Sequence, residues 1–179
     1  MSATVEGKVE TERKDLDTRT IFSLDRVYRY ALWRCWGDPD RDGYLAFIGL
    51  NPSTADEQND DPTIRRCIGF AKSFGCGNLL MLNLYAFRTV SPKVLWQARR
   101  DSVDIVGGKD NHFPAMQTRI NFRAALTIAA WGRHGRDRGI DARNYLSELH
   151  YLSLNSDGTP KHPLYLKADL KPIPFEVPR

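Results

Sequence analysis

Asn51, Asn83, Trp131-Gly132-Arg133-His134 and Lys161-His162-Pro163 are the chain's chemically equipped residues. The first three groups stand at the ends of apolar runs, FIGL, LLML and TIAA. The successive intervals from 51 to 83, 131 and 162 are 32, 48 and 31 residues, each enough for one crossover with its loops. Ligands of open α/β sheets bind beyond the carboxyl ends of strands, where such positions converge. An amide held by the stiff turn of Asn51-Pro52 can fix a water or a ligand, although Asn-Pro also simply starts loops. The Asn83 amide offers a donor and an acceptor together, the complement of a pyrimidine Watson–Crick edge, or else caps the next turn. His162 can donate to a developing negative charge or serve structure alone. Arg133-His134-Gly135-Arg136-Asp137-Arg138 is a basic, glycine-bearing loop able to contact phosphate through side chains and helix-start N–H groups.

The elements that must position these groups follow from periodicity. Residues 27–36 and 43–50 are β-rich runs joined by a turn-rich segment, which predicts a hairpin. The second run is nearly continuously apolar, as a strand covered on both faces would be. Asp61-Pro62 predicts a helix start, with Ile64, Cys67, Ile68 and Ala71 as its buried stripe and Gly75 and Gly77 as its end. Residues 78–83 return as a buried strand, completing a βαβ unit and making the sheet partly parallel. Helices are predicted over 92–101, 113–125 and 143–149, and strands over 126–130 and 151–154. The fold class is α/β, three layers around a central, partly parallel sheet. The division is a polar tail over 1–20, one domain over 21–170 and an extended Pro-rich tail over 171–179.

Composition narrows the classes further. With 179 residues, 41% hydrophobic and 27% charged, the chain fits one globular domain and excludes wholesale disorder. No apolar run approaches the ~20 residues of a membrane helix, and residues 1–20 lack the apolar core of a secretory signal. Three cysteines without metal-finger spacing point to a reducing compartment, so a cytoplasmic location without membrane attachment is expected. The net charge of +4, with arginine outnumbering lysine, is compatible with a polyanionic partner without requiring one. Asp56, Glu57, Asp60 and Asp61 match no calcium loop, and the four histidines lack metal-ligand spacing, so neither metal nor cofactor is expected. The phosphate-binding glycine motifs are missing from the sequence.

Together, Phe47 to Asp56, Asp61 to Cys67, Asn83-Leu84, Ala130-Trp131-Gly132 and His162-Pro163-Leu164-Tyr165 resemble the bacterial and phage domain-of-unknown-function family 1643, over about Tyr28 to Leu166. More distantly, four signals in the same order resemble the uracil-DNA glycosylase superfamily. They are Gly49-Leu50-Asn51-Pro52, Leu82-Asn83, Ala130-Trp131-Gly132 and His162-Pro163. The resemblance implies a glycosylase-like fold and cleavage of the N-glycosidic bond of a damaged or modified base in DNA. It implies catalytic roles for Asn51, which would position the attacking water, and His162, which would stabilise the departing base. Asn83 would read the base edge, and Leu164 and Tyr165 would lie where the superfamily wedges the DNA stack.

Base or nucleotide binding would then also draw on Gly49, Pro52, Ser53, Tyr85, Trp131, Arg133, His134 and Lys161. Two departures stand out. The phosphate-contacting serine of the superfamily's His-Pro loop is replaced here by Leu164. Residues 53–61 carry no ring to stack on a base, so Phe70, Phe74, Tyr85 or Phe87 would have to substitute. These departures keep three readings open: excision of a base, binding of a free nucleotide without cleavage, and another base-modifying reaction on the same scaffold.

Overall fold

The computed structural model describes residues 19–38, 42–108, 124–146 and 148–176. Most of the polar N-terminal tail and nearly all of the helix predicted over 113–125 lie outside the described residues.

Strands β1 (Thr20–Phe22), β2 (Arg29–Cys35), β3 (Tyr44–Gly49), β4 (Asn78–Asn83), β5 (Ala124–Ala129), β6 (Leu149–Tyr151) and β7 (Ile173–Pro174) form one mixed sheet in the order β1-β2-β4-β3-β5-β6-β7. The described helices are α1 (Pro62–Ser73), α2 (Pro92–Arg100) and α3 (Arg136–Tyr145). Every residue of β3 and β4 is buried, as the unbroken apolar runs required. Alternate side chains feed two cores. Leu45, Phe47, Leu79 and Met81 join Ile64, Cys67, Phe70 and Ala71 of α1. Ala46, Ile48, Leu80 and Leu82 join Leu95 of α2 and Ala142 of α3. The α/β class and the parallel β3-α1-β4 unit therefore stand.

The expected hairpin does not form. β2 pairs antiparallel with β4, Leu32 opposite Met81, and β3 lies parallel on the far side of β4, Ala46 opposite Leu80. A strand apolar on both faces belongs inside the sheet, and the long connection after Cys35 steps across the ~10 Å of two strand spacings. That connection runs against the start of β4, where Trp36 and Gly37 both donate to the Gly77 carbonyl. A Cβ on Gly37 would lie 2.7 Å from the Gly77 Cα, so only glycine permits the approach.

The helix predicted over 143–149 is also displaced. α3 covers Arg136–Tyr145, and Leu149 already belongs to β6, two residues before the expected strand start. The run of arginines reads as a loop, yet Arg136 and Asp137 lie exposed at the start of a helix, and Arg138 beside them donates its Nε–H to the Leu84 carbonyl at 2.7 Å. The inner side is made of small residues, Gly135, Gly139 and Ala142. Side chains at either glycine would collide with the Trp131 indole, at 2.5–2.8 Å. Helical periodicity sought among large apolar residues misses a face built this way.

α1 starts and stops where its residues require. Asp61 Oδ1 accepts from the Ile64 N–H at 2.9 Å, Pro62 occupies the first turn, and the chain leaves through Gly75 at φ +76°. The C-terminal segment is extended: Ile173 and Pro174 pair with β6, and Phe175 packs on Trp131 and Tyr151. No helix among the described residues is long and apolar enough to cross a membrane.

Candidate functional site

β3 and β4 are neighbours, but the chain leaves them toward opposite faces of the sheet, β3 into α1 and β4 into α2. A crevice between two carboxyl ends is the outcome of such a divergence. A cavity of about 440 Å³ occupies it. Gly49, Leu50, Asn51, Ser53 and Thr54 supply one wall, and Asp61 to Ile64 at the start of α1 supply the next. Met81, Asn83, Thr89, Val90 and Pro92 come from β4 and the turn into α2; His162, Leu164 and Tyr165 come from the last long loop; Arg29 comes from β2.

Asn83 is 1% exposed, and neither its Oδ1 nor its Nδ2 has a hydrogen-bond partner among the described residues. Gly49 stands opposite it in the β3–β4 ladder. A Cβ there would come within 2.8 Å of Asn83 Oδ1, so the glycine makes the room this amide uses. An unsatisfied buried polar group costs about 1–3 kcal/mol, and no hydrogen bond among the described residues offsets that cost at Asn83.

Asn51 has a fixed orientation. Its Nδ2 donates to the carbonyls of Thr89 at 2.8 Å and Pro52 at 3.0 Å, which leaves Oδ1 as the acceptor on this amide. Pro52 is buried, and its carbonyl also takes the Thr89 N–H, so it supports Asn51 without lining the cavity. In Asn51→Asp a carboxylate would face two carbonyl oxygens. We expect it to lose about 1–3 kcal/mol of stability in urea titrations at pH 7, recovered as the acid protonates.

His162 begins the short 3-10 turn Pro163–Tyr165, and its Nδ1 accepts from the Leu164 N–H at 3.4 Å. The neutral ring therefore carries its proton on Nε2. Burial pushes its pKa below the ordinary 6.5, and the Asp61 carboxylate opposes that shift in part. The site thus presents a neutral N–H donor at pH 7. On acidification below 6.5 the unfolded chain takes up this proton before the folded one does. Stability should fall from pH 6.5 down to the lower folded-state pKa, and that part of the slope should vanish in His162→Asn, as urea titrations at pH 7.5 and 5.5 would show. The loop is held to α1 by Arg66, which donates to the Leu166 carbonyl.

Arg29 is the residue that sequence reading missed. It is 2% exposed and sits where the β1–β2 register shifts, opposite Phe22. Its Nη1 donates to the Ala55 carbonyl at 2.8 Å, while Nε has no partner. Burial pulls its pKa down to about 10, opposed mainly by Asp61 and assisted by Arg88 and Arg34. An arginine in an alternating strand reads as a solvent-facing residue, and only the register shift would have shown otherwise.

The acidic loop is spent on structure. Asp56 accepts the N–H groups of Gln58 and Asn59, Glu57 pairs with Arg26 at 2.8 Å, Asp60 pairs with Arg34 at 2.8 Å, and Asp61 caps α1. Among the described residues no group of three His, Cys, Asp or Glu side chains could hold a metal ion.

Gly49, Asn51, Ser53, Asn83, His162, Leu164 and Tyr165 are thus brought together. Trp131, Tyr85, Arg133, His134 and Lys161 are not. Trp131 is buried in the core on the α3 side. Tyr85 is buried edge-on to Trp96 and lines a separate hollow with Arg99 and Arg138. Arg133 is exposed and bonded to Ser156 at 3.0 Å, and His134 and Lys161 are exposed outside the cavity lining. Phe70 and Phe74 pack in the α1 core, and Phe87 belongs to an adjoining hollow of about 480 Å³. That hollow shares Ser53, Thr54, Thr89 and Val90 with the cavity and continues to Arg26 and Arg88. Tyr165, 88% exposed at the mouth, is the one Phe, Tyr or Trp in the described lining.

Residues 29–164 match the model of a family described as a protein of unknown function, DUF1643. No curated protein and no solved structure matches the chain.

Proposed function

The chain belongs to the DUF1643 family, and from the chemistry of its cavity we propose that it recognises a nucleobase and hydrolyses the N-glycosidic bond of a damaged or modified base in DNA. The arrangement proposed is a three-layer α/β/α domain of uracil-DNA-glycosylase type, with the site at its β3–β4 crevice. The observation that carries the reading is Asn83: a buried amide with both hydrogen-bonding atoms unpartnered, in one cavity with Asn51 and His162. Such an amide suits the paired donor and acceptor of a base edge. The Asn51 acceptor would hold the attacking water, and the His162 Nε2–H would bond the base as negative charge develops on it. The hollow leading to Arg26 and Arg88 gives the sugar–phosphate chain a route out. Tyr165 at the mouth is the ring available to stack beside a flipped nucleotide.

The test is single-turnover excision from labelled oligonucleotides containing uracil, mismatched thymine or hydroxymethyluracil, single- and double-stranded. Wild type should yield an abasic product. Asn51→Ala and His162→Ala should each lose about 10²–10³ in rate, the scale of removing one group that stabilises developing charge. No product on any substrate would remove the cleavage step. A second reading, a binder of a free nucleotide, is favoured by the lining itself, whose described residues include no Phe or Trp and one Tyr, at the rim. Recovery of intact nucleotide, with affinity lost in Asn83→Ala, would establish it.

A further inference from the structure

We propose that Arg29 carries the negative charge of the departing base, so that this cavity binds an ionised base more tightly than the neutral one. The inference rests on the base-excision reading and adds a cation to a site otherwise furnished with neutral donors.

Arg29 has no carboxylate within ion-pair distance among the described residues; Arg26, Arg34 and Arg133 have one each. Among the described residues its guanidinium hydrogen-bonds only the Ala55 carbonyl, and its Nε is buried without a partner. Asp61 acts on it only through space and spends an oxygen on the Ile64 N–H, while Arg34 and Arg88 repel it. A buried charge held by one neutral carbonyl is costly, and an apolar side chain of similar length would fill the place at less expense. Arg29 lines the same cavity as the unpartnered Asn83 amide and His162. A guanidinium there is useful when its partner arrives with the substrate.

The step balances as a hydrolysis. The water oxygen forms a bond to the sugar C1′ and gives its proton to solvent. The C1′–N bond breaks and leaves its electron pair on the base nitrogen. Arg29 and the His162 N–H hold that anion, which takes a proton from solvent on release. Low local dielectric makes a fixed cation effective at this point.

The experiment titrates free uracil, 5-fluorouracil, hypoxanthine and xanthine by calorimetry, over the pH range in which these bases lose a ring proton. The upper limit stays below about 10, where Arg29 would discharge. Wild type should gain about tenfold or more in affinity for at least one base on its ionisation, as a charge-assisted hydrogen bond implies. Arg29→Met should reverse that preference while melting no lower than wild type, and Arg29→Lys should keep part of it. Tighter binding of the neutral base by wild type, the same pH profile in Arg29→Met, or no binding of any base would overturn the proposal. So would affinity for a nucleoside 5′-monophosphate over its nucleoside that is lost in Arg29→Met while base ionisation has no effect. Excision without this preference removes Arg29's role and leaves the glycosylase reading. The preference without excision removes cleavage and leaves the anion site.

Discussion

Asn83→Leu is expected to stabilise the protein and abolish recognition in the cavity. The native amide is 1% exposed and leaves Oδ1 and Nδ2 unpaired. Its neighbours in β4, Leu79 to Leu82, are fully apolar, so leucine continues the strand without a new polar demand. Removing a buried, unsatisfied amide should return about 1–3 kcal/mol. For a chain of this size each kcal/mol raises the melting temperature by about 2–4 °C. Binding of any base or oligonucleotide should fall by about 10² or more, because a site built around hydrogen bonds discriminates steeply when they are lost. Thermal melts and calorimetry on the same preparation check both halves. A destabilised Asn83→Leu would mean that the amide serves the fold.

Gly49→Ala should lose stability as well as binding. The new Cβ would lie 2.6 Å from Met81 Cε and 2.8 Å from Asn83 Oδ1, within a strand whose every residue is buried. Overpacking of this kind costs about 1–3 kcal/mol. The two collisions separate experimentally. Met81 meets the intruder with the end of a flexible chain, so Met81→Leu in the Gly49→Ala background should restore most of the stability. Asn83 would remain turned from its position, and affinity should stay at least about tenfold down. Recovery of binding along with stability would show that the amide is indifferent to Gly49.

Much of this site is legible in the residues themselves. Asp61-Pro62 with a stripe at Ile64, Cys67 and Ala71 can only be read as a helix start, and the structure has it there. Asn51 and Asn83 announce themselves as polar groups closing apolar runs, His162 stands out only as a histidine in a late loop, and one cavity takes all three. What failed did so for physical reasons. Trp131 also ends an apolar run, but a large ring beside Gly135 and Gly139 finds a flat helix face to bury against, and it goes into the core. The hairpin failed because local turn residues say nothing about a third strand inserting between two neighbours in sequence. Arg29 was invisible because its inward turn comes from a register shift, a property of two strands together. Thr89 and Pro52 contribute through carbonyl oxygens, which any residue possesses.

The central claim is that the Asn83 amide takes the edge of a nucleobase. Its side-chain Nδ2 protons, assigned by their loss in Asn83→Leu, provide the most direct measurement in a ¹⁵N-resolved NMR spectrum. Saturation with the best-bound of the bases named above should move them downfield as they gain their first acceptor, together with the His162 Nε2 resonance. Binding detected by calorimetry that leaves both signals unmoved would place the ligand elsewhere and contradict the account.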